Sequence, residues 1–163
     1  MTLTPAVAEL FTPRLADLGP GAPNQSMRAK LAAFTLGKSE MARCVHSLLW
    51  LHHGFLDESH EISQGIDTPT GSYLHAIMHR REPDAANSKY WWRRVGTHPV
   101  FTEVATAAAG LGYLKAGEAW DPYRFVDDCE AARGRGGERA ELLQRVQAAE
   151  MTALLAWCVG RVG

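Results

Sequence analysis

Hydrophobic residues recur every three or four positions along this chain from Ser26 onward, and runs in which apolar and polar residues alternate are nearly absent. A spacing of three and four keeps side chains on one face of an α-helix, whereas the side chains of a β-strand alternate between two faces. The pattern therefore predicts an all-α protein. A chain of 163 residues suits one domain, and we expect a single-domain bundle of about six to seven helices.

Capping residues, prolines and glycines predict where the helices begin and end. Ser, Thr or Asp accepts hydrogen bonds from the first turn, proline suits the first helical position, and glycine follows the last turn. Within the domain of residues 1–163, these signals predict a short helix at 5–11 inside an N-terminal arm over 1–24, then helices over 26–36, 39–63, 69–81, 85–95, 99–109 and 121–132, and a C-terminal scaffold helix over 138–160. Residues 39–101 form the predicted site region.

The long predicted helix over 39–63 has an aliphatic face and, opposite it, a stripe of imidazoles and carboxylates. All the histidines of the chain fall between His46 and His98, which already points to one region. At 100° per residue, His53, Asp57 and His60 share a direction, and neighbours in this stripe are one turn apart. Side chains at that spacing can share a metal ion, or a carboxylate can orient an imidazole.

The next predicted helix offers a complementary group. His75 and His79 form an i,i+4 pair, a good two-point chelate that a facing aspartate or histidine would complete. We therefore predict a divalent metal, zinc, iron or manganese, with candidate ligands His53, Asp57, His60, His75 and His79, and with Glu61 and Glu82 as candidate catalytic bases. A hydrogen-bonded polar core, or a pocket without metal, is the commoner explanation of such a cluster and remains the alternative.

Cations and large aromatic residues are concentrated just after this pair, over residues 79–99. Such a segment can bind an anionic substrate by stacking and charge-assisted hydrogen bonds. The predicted substrate-binding residues are Arg80, Arg81, Asn87, Lys89, Tyr90, Arg93, Arg94 and His98. An ion-pair network between these arginines and nearby acids is an equally good interpretation. Because one contact face cannot bury both Trp91 and Trp92, we expect one of them to line a pocket.

The composition excludes several classes of partner. The 17 Lys and Arg nearly balance the 18 Asp and Glu, giving a net charge of -1 that does not attract nucleic acid. No apolar run approaches the roughly 18 residues of a membrane span, and the N-terminus does not look like a secretory leader. No P-loop or dinucleotide motif predicts a nucleotide cofactor. Three cysteines at unrelated spacings indicate reduced core thiols, and hence a cytoplasmic location.

The region from His46 to Phe101 contains three blocks, Asp57–Gln64, Thr68–Asp84 and Asn87–Pro99. In these blocks the chain resembles a group of conserved proteins of uncharacterised activity, with the patterns DESHxISQ, HRRExD and NxKYWxRRVGxHP. The resemblance covers about a third of the chain. It implies that the blocks act together and that the flanking helices are scaffold. Leu74 stands where the group has an aromatic residue, a departure that affects pocket shape rather than chemistry.

These observations favour two classes of function. The first is a metal-dependent enzyme, a hydrolase or an oxidoreductase, acting on a small anionic or carbonyl substrate. The second is a module without catalysis that binds a small molecule or anion in the same pocket. In a third interpretation the aromatic and arginine residues form an interface with another protein or a second copy of the chain, since such residues are typical anchors.

Overall fold

The computed structural model describes residues 4–163, which contain nine α-helices and no β-strand, so the all-α prediction is confirmed. The helices are α1 (Pro5–Leu10), α2 (Arg28–Ala33), α3 (Glu40–His52), α4 (Leu56–Ser63), α5 (Pro69–Arg81), α6 (Ala85–Val95), α7 (Phe101–Gly110), α8 (Pro122–Ala132) and α9 (Gly137–Val159). The number exceeds the predicted six to seven, in part because one predicted helix is divided in two.

Four helices begin at the predicted capping residues, among them α3 at Ser39, whose hydroxyl accepts from the Ala42 N–H at 3.2 Å. The side chains of Thr68, Asp84 and Asp121 each accept a hydrogen bond from a backbone N–H in the first turn of α5, α6 and α8. Such bonds satisfy donors that a helix leaves free at its start. Because a cap acts within a few residues, its position can be recognised from local sequence alone.

The prediction of one continuous helix over 39–63 is wrong. Helix α3 ends at His52 and α4 begins at Leu56, with Gly54 between them at a φ of +84°. That left-handed conformation is readily available only to glycine. A side chain there would also be crowded, since a Cβ on Gly54 would lie 3.3 Å from the Cα of Pro23 in the N-terminal arm. The arm therefore packs against the break.

Histidines at the end of α3 and an arginine of α5 hold the N-terminal arm in place. The hydrogen bonds run from His53 Nε2 to the Leu10 carbonyl at 2.6 Å, from His52 Nε2 to the Thr12 carbonyl at 2.7 Å and from Arg81 Nε to the Asp17 carbonyl at 3.1 Å. In return, the backbone N–H of Asn24 donates to the His53 carbonyl at 2.9 Å. The first three bonds satisfy main-chain carbonyls of the arm, and the bond from Asn24 satisfies the His53 carbonyl at the end of α3.

Helix α5 lies at the centre of the molecule, and every residue from Thr70 to Arg81 is buried. It packs against α3, α4, α6 and α8, while α9 packs against α3, α7 and α8. Buried apolar side chains from Val7 to Cys158 form one core between these helices. None of the helices in residues 4–163 is long and apolar enough to cross a membrane.

A buried ion pair joins α5 to α9. Arg80 donates to a carboxylate oxygen of Glu150 at 2.6 Å, and neither side chain has any exposed surface. The Tyr73 hydroxyl donates to the other Glu150 oxygen at 3.2 Å, and Gln147 accepts a second bond from Arg80 at 3.3 Å. The guanidinium carbon also lies 4.6 Å from the ring centre of Phe125. Two charges thus stay together in the core because several groups compensate them.

Candidate metal centre

Three histidines from two helices meet where α4 packs against α5. His75 and His79 lie one turn apart on α5, and His60 comes from α4. A nitrogen of each ring lies within 4.8 Å of a nitrogen of the other two. Imidazole is a common ligand of zinc, iron and copper. We term this group the three-histidine cluster.

The rings of the cluster are packed close to the geometry of a shared ion. The His60 ring meets His75 and His79 nearly edge-on, with centroids 4.6 and 5.5 Å apart, while the other two rings are almost parallel at 5.0 Å. Tetrahedral zinc with bonds of about 2.0–2.1 Å holds its nitrogen ligands about 3.3 Å apart. The 4.8 Å limit on the separations exceeds this spacing by about 1.5 Å, so binding one ion would require the three nitrogens to move closer together.

His75 is the most buried member of the cluster, with 3% of its surface exposed. Its Nδ1 atom is buried and has no hydrogen-bond partner within residues 4–163. The indole of Trp91 covers one ring face, with centroids 3.8 Å apart and planes inclined by 13°. Burial, and then the neighbouring His60 and His79, lower the pKa of His75 to about 3. The ring is therefore neutral near pH 7, the form that binds metals.

A carboxylate orients the His79 ring. Nδ1 of His79 lies 2.6 Å from Glu82 Oε2, so it donates a hydrogen bond to the carboxylate and leaves Nε2 as the acceptor. The Asn87 amide nitrogen lies 3.2 Å from that Nε2. Carboxylates in this position commonly fix the orientation of metal-binding histidines and raise their basicity. Glu82 is thus better suited to orient His79 than to act as a free base.

A second group of metal-ligand side chains shares one member with the cluster. His79, Glu82 and Asp84 also bring ligand atoms within 4.8 Å of one another. Asp84, however, caps α6 by accepting a hydrogen bond from the Asn87 N–H at 2.9 Å, and the Glu82 side chain is 51% exposed. Both carboxylates therefore have other roles, and the three-histidine cluster is the stronger candidate.

His53, a predicted ligand, lies outside the cluster. The break at Gly54 separates it from α4, and both ring nitrogens are engaged by the N-terminal arm. Nε2 donates to the Leu10 carbonyl, and Nδ1 accepts from the Asn24 amide at 3.3 Å. Burial lowers the pKa of His53, which favours the neutral ring. This histidine anchors the arm.

Two predicted acids also lie apart from the cluster. Asp57 is exposed at the start of α4 and lines a groove of about 330 Å³ that Glu82 also lines. Glu61 is exposed and lines a different cavity with His46. Neither carboxylate belongs to the group of close ligand atoms among the described residues. The sequence allowed either Asp57 or His60 as the third metal ligand. The positions of the side chains favour His60.

Arg80 and Arg81, predicted to bind substrate, are each 1% exposed. Arg80 is committed to the ion pair with Glu150, and Arg81 donates to the main-chain oxygens of Asp17 and Leu51. Neither guanidinium faces the solvent, so both arginines support the fold from within, and the prediction that they bind substrate stays a prediction. Their partners are distant in sequence, which is why the sequence could not distinguish the two roles.

The predicted binding residues of α6 form an exposed surface beside the cluster. Lys89 pairs with Asp127 at 2.5 Å and Arg94 with Asp67 at 2.9 Å. These two pairs agree with the alternative interpretation, in which the cations form ion pairs with nearby acids. Two arginines also lie over aromatic rings, Arg94 at 5.3 Å from the Trp91 ring centre and Arg93 at 5.9 Å from the Tyr90 ring centre. The Tyr90 and Trp91 rings pack edge to face. Trp91 is half-buried and Trp92 is 1% exposed, so the two differ in burial, and the expectation that one of them lines a pocket stays a prediction.

His98, the last predicted binding residue, is in the core. Its Nε2 lies 3.2 Å from the Thr70 hydroxyl, its Nδ1 accepts from the Val100 N–H at 3.3 Å, and its ring packs against Trp157. Burial, and then the charge of Arg161, lower the pKa of His98 from 6.5 to about 4. His98 is buried among core side chains, and the prediction that it binds substrate stays a prediction.

The low pKa of His98 gives the stability a defined pH dependence. Between pH 6.5 and about 4 the unfolded chain protonates this histidine and the folded protein does not, so the free energy of unfolding falls as the pH is lowered. In His98→Gln, which keeps a donor for Thr70, we expect this slope to be shallower by up to about 1.4 kcal/mol per pH unit. Urea unfolding at several pH values measures it, and equal slopes would contradict the assignment.

Sequence reasoning omitted Trp91 from the site residues, although it covers the face of His75. A signal was present, since Asn87, Trp91 and Arg94 are spaced to share one side of α6.

In comparisons with protein-family models, with curated proteins and with solved structures, nothing matches this chain.

Proposed function

We propose that this protein binds one divalent transition metal through His60, His75 and His79 and uses it to hydrolyse a small substrate. The observation that carries the proposal is the convergence of three imidazoles from two helices, with ligand atoms within 4.8 Å of one another. Three neutral imidazoles suit zinc best, and iron and manganese remain candidates. Because residues 4–163 bring no fourth protein ligand to the group, a position would stay open for water or substrate.

The surrounding residues support this role. The indole of Trp91 stacks on the His75 ring. Glu82 accepts a hydrogen bond from Nδ1 of His79, which leaves Nε2 of His79 without a proton. A metal with an open position would supply a bound water whose pKa is near 7. Arg94 lies over Trp91 and pairs with Asp67, so it would have to exchange this exposed partner to bind an anionic substrate. An oxidoreductase would need a redox-active metal such as iron on the same ligands.

A second candidate function is binding without catalysis, and the surface of α6 favours it. Tyr90 is 45% exposed beside the half-buried Trp91, and both carry arginines on their faces. Tyr, Trp and Arg are the residues most often found to dominate protein interfaces. If this surface joins two copies of the chain, light scattering will give a doubled mass that returns to the monomer value in Tyr90→Ala.

The metal proposal predicts a defined stoichiometry and specificity. Protein treated with a chelator and dialysed against zinc, iron(II) or manganese(II) should retain about one equivalent of the preferred ion. At 100 times the dissociation constant, that ion should add about 2.7 kcal/mol to the free energy of unfolding. Elemental analysis and thermal unfolding measure the two effects.

Variants identify the ligands. We expect His75→Ala and His79→Ala to retain less than about a tenth of an equivalent, and Glu82→Gln to bind about 10–100-fold more weakly. His46→Gln is the control, because His46 lies outside the cluster with its Nε2 2.9 Å from the Leu31 carbonyl. The proposal fails if the wild type takes up no metal, or if His75→Ala binds as the wild type does while its circular dichroism shows a folded protein.

A further inference from the structure

An apolar pocket of about 540 Å³ lies between the N-terminal arm, the end of α3 and the middle of α9. Its walls are Phe11, Pro13, Arg14, Leu15, His52, Ala148 and Thr152. Leu15 is 47% exposed at its edge, and the Phe11 and His52 rings are packed with centroids 4.2 Å apart. A volume of about 300–1,000 Å³ is typical of small-molecule sites. None of these residues belongs to the three-histidine cluster.

The charge of this pocket is not balanced. Arg14 lines it and forms no hydrogen bond or ion pair with any other residue over 4–163, and its buried NH1 nitrogen has no partner. Burying a cationic donor without a partner costs free energy. No acidic residue is among the described residues that line the pocket. The one cation in an apolar wall is therefore free to take an anion.

Other cations close to Arg14 add to the imbalance. Arg81 is buried behind the arm and its partners are the main-chain oxygens of Asp17 and Leu51. Burial, and then the charges of Arg80 and Arg14, lower the pKa of Arg81 to about 10. Burial is also the main reason that the pKa of His52 is lowered to about 4, with Arg14 and Arg81 adding to the effect. The carboxylate of Asp17 acts on Arg81 in the opposite direction, so these cations are partly offset, and Arg14 is the cation that the pocket wall itself presents.

We propose that this pocket binds an amphipathic monocarboxylate, a molecule with an apolar tail and one carboxylate group. The tail would lie against Phe11, Pro13 and Leu15, and the carboxylate would pair with the Arg14 guanidinium. Carboxylates match the planar donors of arginine, and such charge-assisted hydrogen bonds are the stronger ones. An uncharged tail would gain only the apolar contacts, and an amine would be repelled.

Octanoate is the probe, and octanol and octylamine are matched in length. By calorimetric titration of the full chain, we expect octanoate to bind at least about tenfold more tightly than octanol, or about 1.4 kcal/mol, and octylamine to bind more weakly still. Arg14→Gln should lose this preference, so that octanoate binds no better than octanol. Arg135→Gln, an exposed arginine on the link before α9, is the control and should bind as the wild type does.

A second variant tests the location without removing the charge. Thr152 is exposed on α9 and lines the pocket, so Thr152→Trp should fill it and reduce octanoate affinity by about tenfold or more while unfolding remains cooperative. His75→Ala should leave octanoate binding unchanged, which separates this pocket from the proposed metal site. Equal binding of octanoate and octanol, no binding at all, or unchanged binding in Arg14→Gln would overturn the proposal.

Discussion

Glu150→Gln should lower the free energy of unfolding by about 3–5 kcal/mol, a large part of the roughly 5–15 kcal/mol that stabilises a typical domain. The substitution keeps the shape of the side chain and removes its charge. Arg80 is then left as a fully buried cation, since neither side chain of the pair has exposed surface. The cost is mainly that of an uncompensated charge in the core. Urea unfolding followed by circular dichroism measures it.

Glu141→Gln on the same helix is the matched control. Glu141 pairs with Arg145 at 2.7 Å, but more than half of each side chain is exposed. Water screens such a pair, so we expect a loss below about 0.5 kcal/mol. If the two glutamate variants lose equal stability, the buried pair does not have the importance assigned to it.

A paired replacement separates charge from packing. Two of the three guanidinium nitrogens of Arg80, Nε and NH1, are buried without a hydrogen-bond partner, so the ion pair is incompletely satisfied. The double variant Arg80→Met and Glu150→Leu should therefore recover most of the stability that Glu150→Gln loses. A double variant less stable than Glu150→Gln would show that the polar network of this core cannot be replaced by apolar contacts.

Trp92→Ala should destabilise the protein by about 3–5 kcal/mol, the usual loss when a large aromatic side chain is removed from a core. Trp92 is 1% exposed and packs against Tyr73 and Phe101, with ring centroids 4.6 and 6.2 Å away. Its indole nitrogen has no partner among the described residues, so the loss is one of packing rather than hydrogen bonding. Thermal and urea unfolding measure the effect.

The neighbouring Trp91 is the internal comparison. Because it is half-buried, Trp91→Ala should cost only about 1 kcal/mol. It removes the ring that lies 3.8 Å from His75, so under the proposed function its main effect is weaker metal binding. Similar losses of stability in the two variants would mean that the two tryptophans are not divided between core and site.

Local signals account for the parts of the fold that the sequence predicted well. Thr68, Asp84 and Asp121 act on the first turn of the helix that follows each of them, so their effect is contained in a few adjacent residues. The His75 and His79 pair is local in the same sense, because one helical turn determines their spacing. These features need no knowledge of the tertiary structure.

The features that were predicted wrongly depend on distant contacts. The break at Gly54 is stabilised by the N-terminal arm, about thirty residues earlier in the chain, and a periodicity analysis of α3 and α4 cannot include it. Once the helix is divided, His53 and His60 no longer share a face. Arg80 looked like a surface cation because Glu150, which lies far along the chain, is the residue that permits its burial.

The metal assignment of the cluster, its substrate and the suspected family relationship remain predictions. Helical spacing could not predict that Nδ1 of His75 has no hydrogen-bond partner among the described residues, or that Glu82 orients His79. Both features depend on the tertiary structure. Spacing alone also could not choose between Asp57 and His60. The choice depends on the direction in which α4 leaves the break.

The anchors of the N-terminal arm have a consequence for how this protein can vary. His53, His52 and Arg81 each donate a hydrogen bond to a main-chain carbonyl of the arm, and none of these bonds involves the side chain of Pro13 or Leu15. Substitutions at positions such as Pro13 and Leu15 can therefore reshape one wall of the neighbouring pocket while the arm keeps its path. Ligand preference on this side of the molecule can therefore change while these three anchors stay in place.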